Sequence, residues 1–500
     1  MDSDMTENRP QSSTLGKPSE RLEREMEANA SPLLTDRSFG NERTAEEKED
    51  SGVFDFGCQY SNDSGKTAVS FASWSYEIVQ HLSHCSYSAF ESISMQDLPS
   101  LDRRSSAWLA GINVQSMILG TSVLGFPFAF MNAGIWAIPL VVIIGTAASV
   151  SAGLLRDCLY QNSRKHGRPK RVRRTYVDVC NGAWPMYGRT ISELIVFIGL
   201  LRNVIVLILL TNLSVQVLGD VLRIDKGIIT VSWAFAVLPF LFIKRVSSLA
   251  WISFIGLSLY LVALAAILVQ CLLHYPSWSF ANLHFDFHIE KIGLAAGIII
   301  NSFAQHLSFP PVEGSMRKPK TYRPTFYVTF AINVIVKVFF GVSAVLTYGS
   351  CTKQSITGNL SDRKISVPSN AAIAFFAYFT LPMQSFVVFD LIDSKFLPHF
   401  PIFKSSASWS WMFLSRSVVL VTCLLVAVLV PEFGLLVSFV GSIRGSFVSL
   451  VFPPLFYLKL FKHKVGYVRK IQCVAVALIG LSLGSVGIYS SSKAVILLWV

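Results

Sequence analysis

The sequence predicts an all-α membrane protein with about eleven transmembrane helices, and composition and hydropathy carry this prediction. Of its 500 residues, 52% are hydrophobic and only 15% are charged, and the mean hydropathy is +0.49. Soluble globular proteins carry about 25% charged residues. Apolar runs of about 20 residues, the helical length that crosses a hydrocarbon core of ~30 Å, recur from Trp108 onward. A soluble enzyme, a disordered scaffold and a disulfide-stapled secreted module are therefore disfavoured.

The residues before the first span differ in composition from the rest of the chain. Residues 1–106 are rich in Ser, Glu, Asp and Asn, and they contain 19 acidic but only 10 basic residues. This composition predicts a disordered acidic cytoplasmic tail without a cleavable signal peptide. A transmembrane domain follows at residues 107–490, and a short lumenal C-terminus at residues 491–500. The spans are predicted at residues 107–130, 134–158, 190–219, 228–243, 248–273, 292–312, 326–349, 370–393, 410–430, 433–458 and 471–490.

Basic residues between the spans predict the topology. If the tail is cytosolic, the loops on the cytosolic side contain 22 Lys and Arg, whereas the loops and terminus on the other side contain 7. Because Lys and Arg are enriched in cytosolic loops, the asymmetry predicts a cytosolic N-terminus and a lumenal C-terminus. The net charge of +12 therefore indicates membrane orientation and no nucleic-acid partner. The sequon Asn359-Leu-Ser361 then lies on the lumenal side, as N-glycosylation requires.

Two predicted spans are interrupted by helix-breaking residues. Span one contains Gly120-Thr-Ser-Val-Leu-Gly-Phe-Pro127, and span six contains Ala304-Gln-His-Leu-Ser-Phe-Pro-Pro311. Glycine and proline disfavour a continuous helix, and unwound backbone in hydrocarbon is tolerated where it lines a polar cavity. The breaks predict a central site in which half-helix N-termini face the anionic group of a substrate. Its candidate residues are Gly120, Thr121, Ser122, Gly125, Gln305 and Ser308.

Proline kinks that serve packing alone are the alternative interpretation of these breaks. Spans one and six, however, are the first helices of two five-helix halves. An odd number of helices per half inverts the second half relative to the first, which is the arrangement of inverted-repeat transporters. The equivalence of the two broken spans favours a binding site within a 5+5 inverted repeat that carries one extra helix.

Ionisable side chains inside the spans are costly and indicate function. His306 lies in the second break, and a histidine with an unperturbed pKa of about 6.5 suits proton coupling to an acidic compartment. A hydrogen-bonded structural histidine is the alternative. Glu313 and Asp390 are the next candidates for proton coupling. Basic residues without an assigned role lie in other spans, at Arg202, Lys337 and Arg444.

A specific set of motifs is distributed over the predicted transmembrane domain. The motifs are Asn113-Val and Ser122-Val-Leu-Gly-Phe-Pro-Phe-Ala129 in span one, Phe309-Pro, Glu313-Gly-Ser-Met316 and Pro319 at span six, Lys337 in span seven, Thr380-Leu-Pro382 to Asp393 in span eight, and Gly441-Ser and Phe452-Pro-Pro-Leu-Phe-Tyr-Leu458 in span ten. Together they resemble the amino acid/auxin permease family, and most closely its vesicular branch. The resemblance implies a LeuT-like fold and proton-driven antiport of small neutral amino acids, GABA and glycine first, into acidified synaptic or secretory vesicles.

Two residues depart from the vesicular pattern. His306 resembles a histidine of the family's vacuolar branch, and Arg444 has no evident counterpart in the vesicular branch. A vacuolar or lysosomal amino acid permease of broader specificity is therefore the nearest alternative. A channel and an intramembrane enzyme are alternatives of a different class, but the sequence contains neither a continuous polar pore stripe nor an HExxH or paired Asp motif.

The remaining expectations concern cofactors and partners. The eight cysteines show no metal-ligand spacing, so neither a metal nor another cofactor is expected. The driving force is expected to be a proton gradient, and the participation of chloride is left open. Leu33-Leu34 in the acidic tail resembles a dileucine signal for a sorting adaptor, although no acidic residue stands at the expected upstream position, which is Asn29. A chance match is the alternative.

Overall fold

The computed structural model describes residues 105–162, 169–222, 246–360, 362–395, 409–429, 432–462 and 465–497. Residues 1–104 of the acidic tail, including Leu33-Leu34, lie outside the described residues, as does the predicted fourth span at residues 228–243. The described part is mostly helical, which confirms the all-α class.

The helices follow the predicted order. They are α1 (Ala107–Leu119), α2 (Phe126–Ala133), α3 (Ala137–Cys158), α4 (Tyr176–Ala183), α5 (Gly188–Leu222), α6 (Val246–Leu273), α7 (Ile289–Phe303), α8 (Phe309–Ser315), α9 (Tyr322–Tyr348), α10 (Arg363–Lys395), α11 (Trp409–Leu429), α12 (Phe433–Val440), α13 (Phe452–Leu460) and α14 (Tyr467–Ile496). Span one is divided into α1 and α2, and span six into α7 and α8. Helix α14 continues to Ile496, beyond the predicted end of the transmembrane domain at residue 490.

The burial of the apolar helices identifies the centre of the fold. Among the described residues, 6 helical segments are long and apolar enough to cross a membrane, judged by length and composition. In the segment Ile289–Ser315, 83% of the apolar window is buried, whereas in Tyr467–Ile496 the fraction is only 33%. Span six therefore lies in the protein interior, and α14 has a large apolar surface outside the core that suits lipid.

Glycines allow span ten to approach span six closely. Helix α12 continues into a π-helical segment, Gly441–Val451, before α13 begins. A side chain at Gly441 would place its Cβ 2.3 Å from the carbonyl oxygen of Gly297 in α7, so only glycine fits there. Small residues permit such backbone contact between transmembrane helices. Residues of the π-helical segment thereby lie beside the C-terminal end of α7.

A small antiparallel hairpin was not predicted by the sequence analysis, which treated this region as a basic loop. Strand β1 (Tyr160–Asn162) pairs with β2 (Pro169–Arg171), and Tyr160 lies opposite Arg171. The chain then enters α4 through a capping box, in which the Thr175 hydroxyl accepts from the Asp178 amide and the Asp178 carboxylate accepts from the Thr175 amide. The hairpin brings two functional groups, a phenol and a guanidinium, to α8.

Candidate substrate and coupling site at two broken helices

The first break comprises residues 120–125, and its geometry depends on Gly120. This residue has φ 31° and ψ −176°, a conformation that is open essentially to glycine alone. The chain then forms a 3-10 helix, Thr121–Gly125, before Pro127 opens the first turn of α2. The hydroxyl of Tyr260 in α6 donates to the Gly120 carbonyl at 2.7 Å, so one carbonyl released by the unwinding has a partner.

The second break comprises residues 304–308, between α7 and α8. Ala304 leaves the helical conformation with φ −82° and ψ 55°, and a 3-10 turn follows at His306–Ser308. Helix α8 begins at Phe309 with Pro310 in its first turn, where a proline needs no hydrogen-bond acceptor. Both predicted interruptions are therefore confirmed as breaks in the helix rather than as proline kinks.

A polar relay connects the two breaks. The side-chain amide of Asn301, in the last turn of α7, donates to the Ser122 hydroxyl in the first break at 2.8 Å. The guanidinium of Arg202 in α5 donates to the side-chain oxygen of Asn301. Both Asn301 and Arg202 are buried. Three separate spans thus meet at one buried polar cluster.

Lys337 of α9 holds the C-terminal ends of both first half-helices. Its ammonium group lies 3.0 Å from the Ile118 carbonyl oxygen at the end of α1. It also lies 2.8 Å from the Ser302 hydroxyl and 3.3 Å from the Ser302 carbonyl at the end of α7. A cation is favourable at a helix C-terminus, where carbonyl groups lack partners. The sequence analysis found this lysine but assigned it no role, because only the fold brings the two helix ends together.

His306 is fully buried and makes one hydrogen bond. Its Nε2 lies 3.0 Å from the carbonyl oxygen of Ala148 in α3, and its ring packs 4.8 Å from that of Phe309. Since a carbonyl can only accept, the proton of the neutral imidazole is placed on Nε2. Within the part of the chain that the structure describes, the Nδ1 atom has no hydrogen-bond partner, so it is the position where a second proton would bind.

Glu313, a second candidate for proton coupling, is engaged by the hairpin. Its carboxylate accepts from the Tyr160 hydroxyl, and its Oε2 lies 3.2 Å from the Nε of Arg171. Arg171 also donates to the Pro310 carbonyl at 2.7 Å. Both partners of the ion pair are almost fully buried. The contacts therefore tie α8 to the hairpin. The side chain of Asp390, the third candidate, lies outside the described residues.

The sequence matches the transmembrane amino acid transporter protein family over residues 103–496. The chain belongs to this family. It is 26% identical to the vesicular inhibitory amino acid transporter of Xenopus tropicalis, over 75% of this chain and 74% of that protein. It is 24% identical to the vesicular GABA transporter of Caenorhabditis elegans, over 77% of this chain and 79% of that protein.

A solved structure agrees with the fold of this amino acid transporter. The inward-facing conformation of Mhp1 covers 79% of this chain and 91% of its own, with a TM-score of 0.50 at 14% identity. The fold is therefore LeuT-like, as the resemblance implied. The family membership also excludes the enzyme alternative, because the homologues are transporters.

The predicted substrate residues of the transporter fall into two groups. Thr121, Gln305 and Ser308 are partly exposed at the breaks, whereas Ser122 and Gly125 are buried. At Gly125, an added Cβ would make ordinary contacts of 3.5 Å or more, so glycine is not required there for space. The strained glycine of the pair is Gly120. The carboxylate site that the sequence predicted at residues 120–125 stays a prediction.

The predicted glycosylation site lies in a folded loop. The Asn359 side-chain amide donates to the Cys351 carbonyl at 2.8 Å, and its oxygen accepts from the Lys353 amide at 2.8 Å. Asn359 is partly exposed, and Ser361 of its sequon lies outside the described residues. Glycosylation at Asn359 therefore stays a prediction.

Proposed function

We propose that the protein is a proton-coupled antiporter that moves small neutral amino acids, GABA and glycine first, into acidified synaptic or secretory vesicles. Membership of an amino acid transporter family supports the class of substrate. The names of the vesicular relatives support GABA and the vesicle. The observation that carries the proposal is the pair of broken helices joined through Asn301 and Ser122, with His306 in the second break.

The substrate carboxylate is proposed to meet the first break. The 3-10 helix at Thr121–Gly125 presents backbone N–H groups at its start, and such groups attract a negative charge. The Thr121 hydroxyl is partly exposed and can donate to a carboxylate. Gln305 and Ser308, which are partly exposed in the second break, would then contact the rest of the substrate.

Proton coupling is proposed to use Nδ1 of His306, with a proton gradient as the driving force and no cofactor. The participation of chloride is left open. A group that binds a proton in one state of the cycle and releases it in the other couples the two fluxes. Burial opposes the charged imidazolium, and hydration on opening of the site would restore it. Glu313, which is paired with Arg171, would hold α8 in place rather than carry the proton.

The topology proposed has the N-terminus in the cytosol and the C-terminus in the lumen. The asymmetry of 22 against 7 basic residues supports it. Protease treatment of intact vesicles should cut the acidic tail and spare the residues near Val500. A shielded tail with a cut C-terminus would invert the topology.

Two substitutions test the remaining expectations. Replacement of Asn359 by Gln should lower the apparent mass of the protein only if the loop is lumenal. Replacement of Leu33-Leu34 by Ala should raise the fraction of protein at the cell surface if a sorting adaptor binds there.

Uptake by purified protein in proteoliposomes tests the central proposal. An imposed gradient, acidic inside, should drive saturable uptake of labelled GABA and glycine, and dissipation of the gradient should abolish it. Competition by large neutral or cationic amino acids would instead support the vacuolar or lysosomal permease, which the histidine at His306 favours. An ohmic current without saturation would indicate a channel.

A further inference from the structure

Arg444 is a buried cation that nothing in the described chain neutralises. It lies in the π-helical segment Gly441–Val451 and is only 7% exposed. Within the described residues it makes no ion pair, and its Nε and Nη1 atoms have no hydrogen-bond acceptor. π-Helical turns within longer helices are frequent at functional sites. A guanidinium stays charged in proteins, so burial without an acceptor is strongly unfavourable unless an anion binds.

The surroundings of Arg444 are built to hold its guanidinium. A Cβ at Gly199 of α5 would lie 2.2 Å from the Arg444 Nε, so the guanidinium packs directly on the helix backbone there. On the other side of the same turn, a Cβ at Gly445 would lie 3.3 Å from the Cβ of Ala304. Arg444 is therefore next to the second break, where the substrate is proposed to bind.

The described titratable neighbours of Arg444 do not supply a negative charge that would balance its guanidinium. Among the described residues, the titratable groups found to interact with it electrostatically are Arg202 of α5, His306 in the second break and Tyr176 of α4. None of these three is a carboxylate. The phenol of Tyr176 donates its proton to the Val448 carbonyl at 3.1 Å. It is therefore a neutral group that does not balance the charge of Arg444. Arg202 adds a second positive charge, so two guanidinium groups repel each other across this region in the absence of an anion.

We propose that Arg444, with the positive field of Arg202, forms a binding site for a monovalent anion beside the second break. The anion is either the carboxylate of the transported amino acid, which would then lie beside the second break instead of the first, or a free halide. The first source rests on the proposed function, whereas the second does not require it. In both cases the negative charge offsets the buried guanidinium of Arg444, and a planar guanidinium can donate two parallel hydrogen bonds to a carboxylate.

Ligand-dependent thermal unfolding of the purified full-length protein in nanodiscs tests this site without a gradient. A low-salt buffer, brought to the same osmolarity with sucrose, serves as the reference. The first arm compares 4-aminobutyrate with 4-aminobutanamide, which lacks the carboxylate, and the second compares sodium chloride and sodium bromide with the reference buffer. The variants are Arg444→Gln, Arg444→Lys and Gly199→Ala. In Gly199→Ala the added methyl group displaces the guanidinium without removing its charge. The matched control is Arg416→Gln in α11, because Arg416 already contacts the Ser415 hydroxyl and the Phe389 ring.

The two sources give different results. A carboxylate site requires that 4-aminobutyrate but not its amide stabilises the wild-type protein, and that Arg444→Gln and Gly199→Ala weaken its apparent affinity at least tenfold. A halide site requires the same loss for chloride and bromide, with the affinity for 4-aminobutyrate unchanged. Arg444→Lys should retain part of either response, and Arg416→Gln all of it.

The proposal has clear contrary outcomes. It is overturned if no anion stabilises the wild-type protein relative to the reference buffer, or if every response persists in a folded Arg444→Gln variant. If Arg444→Gln does not fold, the folded Gly199→Ala variant decides in the same way, and full anion affinity there overturns the site. Failure of the proposed function looks different, because uptake by the wild-type protein would be absent while a halide response that depends on Arg444 remained.

Discussion

The side-chain amide of Asn301 donates a 2.8 Å hydrogen bond to the hydroxyl of Ser122, and this contact joins the two broken helices. Asn301 lies one turn before the second break, and Ser122 lies inside the first. Arg202 donates to the same asparagine, which fixes the orientation of its amide. A movement of one broken helix therefore acts directly on the other through this hydrogen bond. A transporter with one site shared between the two helices requires such coupling.

The first prediction concerns this relay. Asn301→Ala should lower amino acid uptake at least tenfold, because the Ser122 hydroxyl loses this donor and Arg202 loses one of its contacts. A buried polar group left without a partner costs about 1–3 kcal/mol. The matched control is Asn132→Ala, since the Asn132 amide donates only to the Phe128 carbonyl of its own helix. Proteoliposome uptake, normalised to the amount of protein, measures both. Equal uptake by the two variants would remove the relay from the site.

The second prediction separates the two glycines of the first break. Gly120→Ala should abolish or strongly reduce uptake, because alanine at φ 31° carries a strain of about 1–3 kcal/mol. Gly125→Ala should retain most of the activity, since its Cβ would lie 3.5 Å from the nearest side-chain atom of Ile298. Gly125→Val adds two methyl groups beyond the Cβ, and these would collide with the neighbouring side chains. Uptake by Gly125→Val should therefore be impaired. Surface and vesicle amounts must be measured for each variant. Full activity of Gly120→Ala would show that the break adopts another conformation during transport.

The third prediction concerns Lys337. Lys337→Met should destabilise the protein and abolish uptake, because the Ile118 and Ser302 carbonyl groups lose their cationic donor. Hydrogen bonds to a charged group contribute about 1.5–3 kcal/mol. Thermal unfolding in nanodiscs measures the destabilisation. Lys493→Met serves as the control, because Lys493 is exposed and its removal should leave the unfolding temperature almost unchanged. If Lys337→Met is as stable as the wild type, the lysine does not support the helix ends.

The fourth prediction tests the coupling histidine. His306→Gln should preserve amino acid exchange without a gradient but weaken the dependence of uptake on the gradient. Glutamine can still donate to the Ala148 carbonyl, but it cannot bind a second proton. His288→Gln is the matched control, because His288 is exposed at the start of α7. The ratio of gradient-driven uptake to exchange is the measurement. Wild-type gradient dependence in His306→Gln would make the histidine structural and turn the search to the carboxylates.

The fifth prediction concerns the ion pair between Glu313 and Arg171. A double-mutant cycle with Glu313→Gln and Arg171→Gln should give a coupling free energy of about 0.5–3 kcal/mol, since the pair is buried. The exposed pair of Glu290 and Lys493 provides the comparison and should show little coupling. Chemical or thermal unfolding in detergent supplies the four free energies. Additive effects would mean that the hairpin does not stabilise α8 through this pair.

Sequence and tertiary structure contributed differently to the candidate site. The breaks at residues 120–125 and 304–308 were predicted, because Gly120, Pro127 and Pro310 act through local backbone geometry. The hairpin was missed, because strands of three residues lack a recognisable alternation of apolar and polar residues. The roles of Asn301 and Lys337 were missed for another reason, since their partners lie 179 and 219 residues away in the sequence.

The sequence by itself determined the class of the protein, the order of its spans and the two places where helices unwind. These properties follow from the low charge, from apolar runs long enough to cross a bilayer, and from clusters of glycine, proline and polar residues that disfavour a continuous helix. Only the tertiary structure decided that Glu313 is neutralised by Arg171, whereas Arg444 has no such partner among the described residues. Whether a buried charge has a counter-charge depends on distances between segments that are remote in the sequence. Those distances are set only when the chain folds.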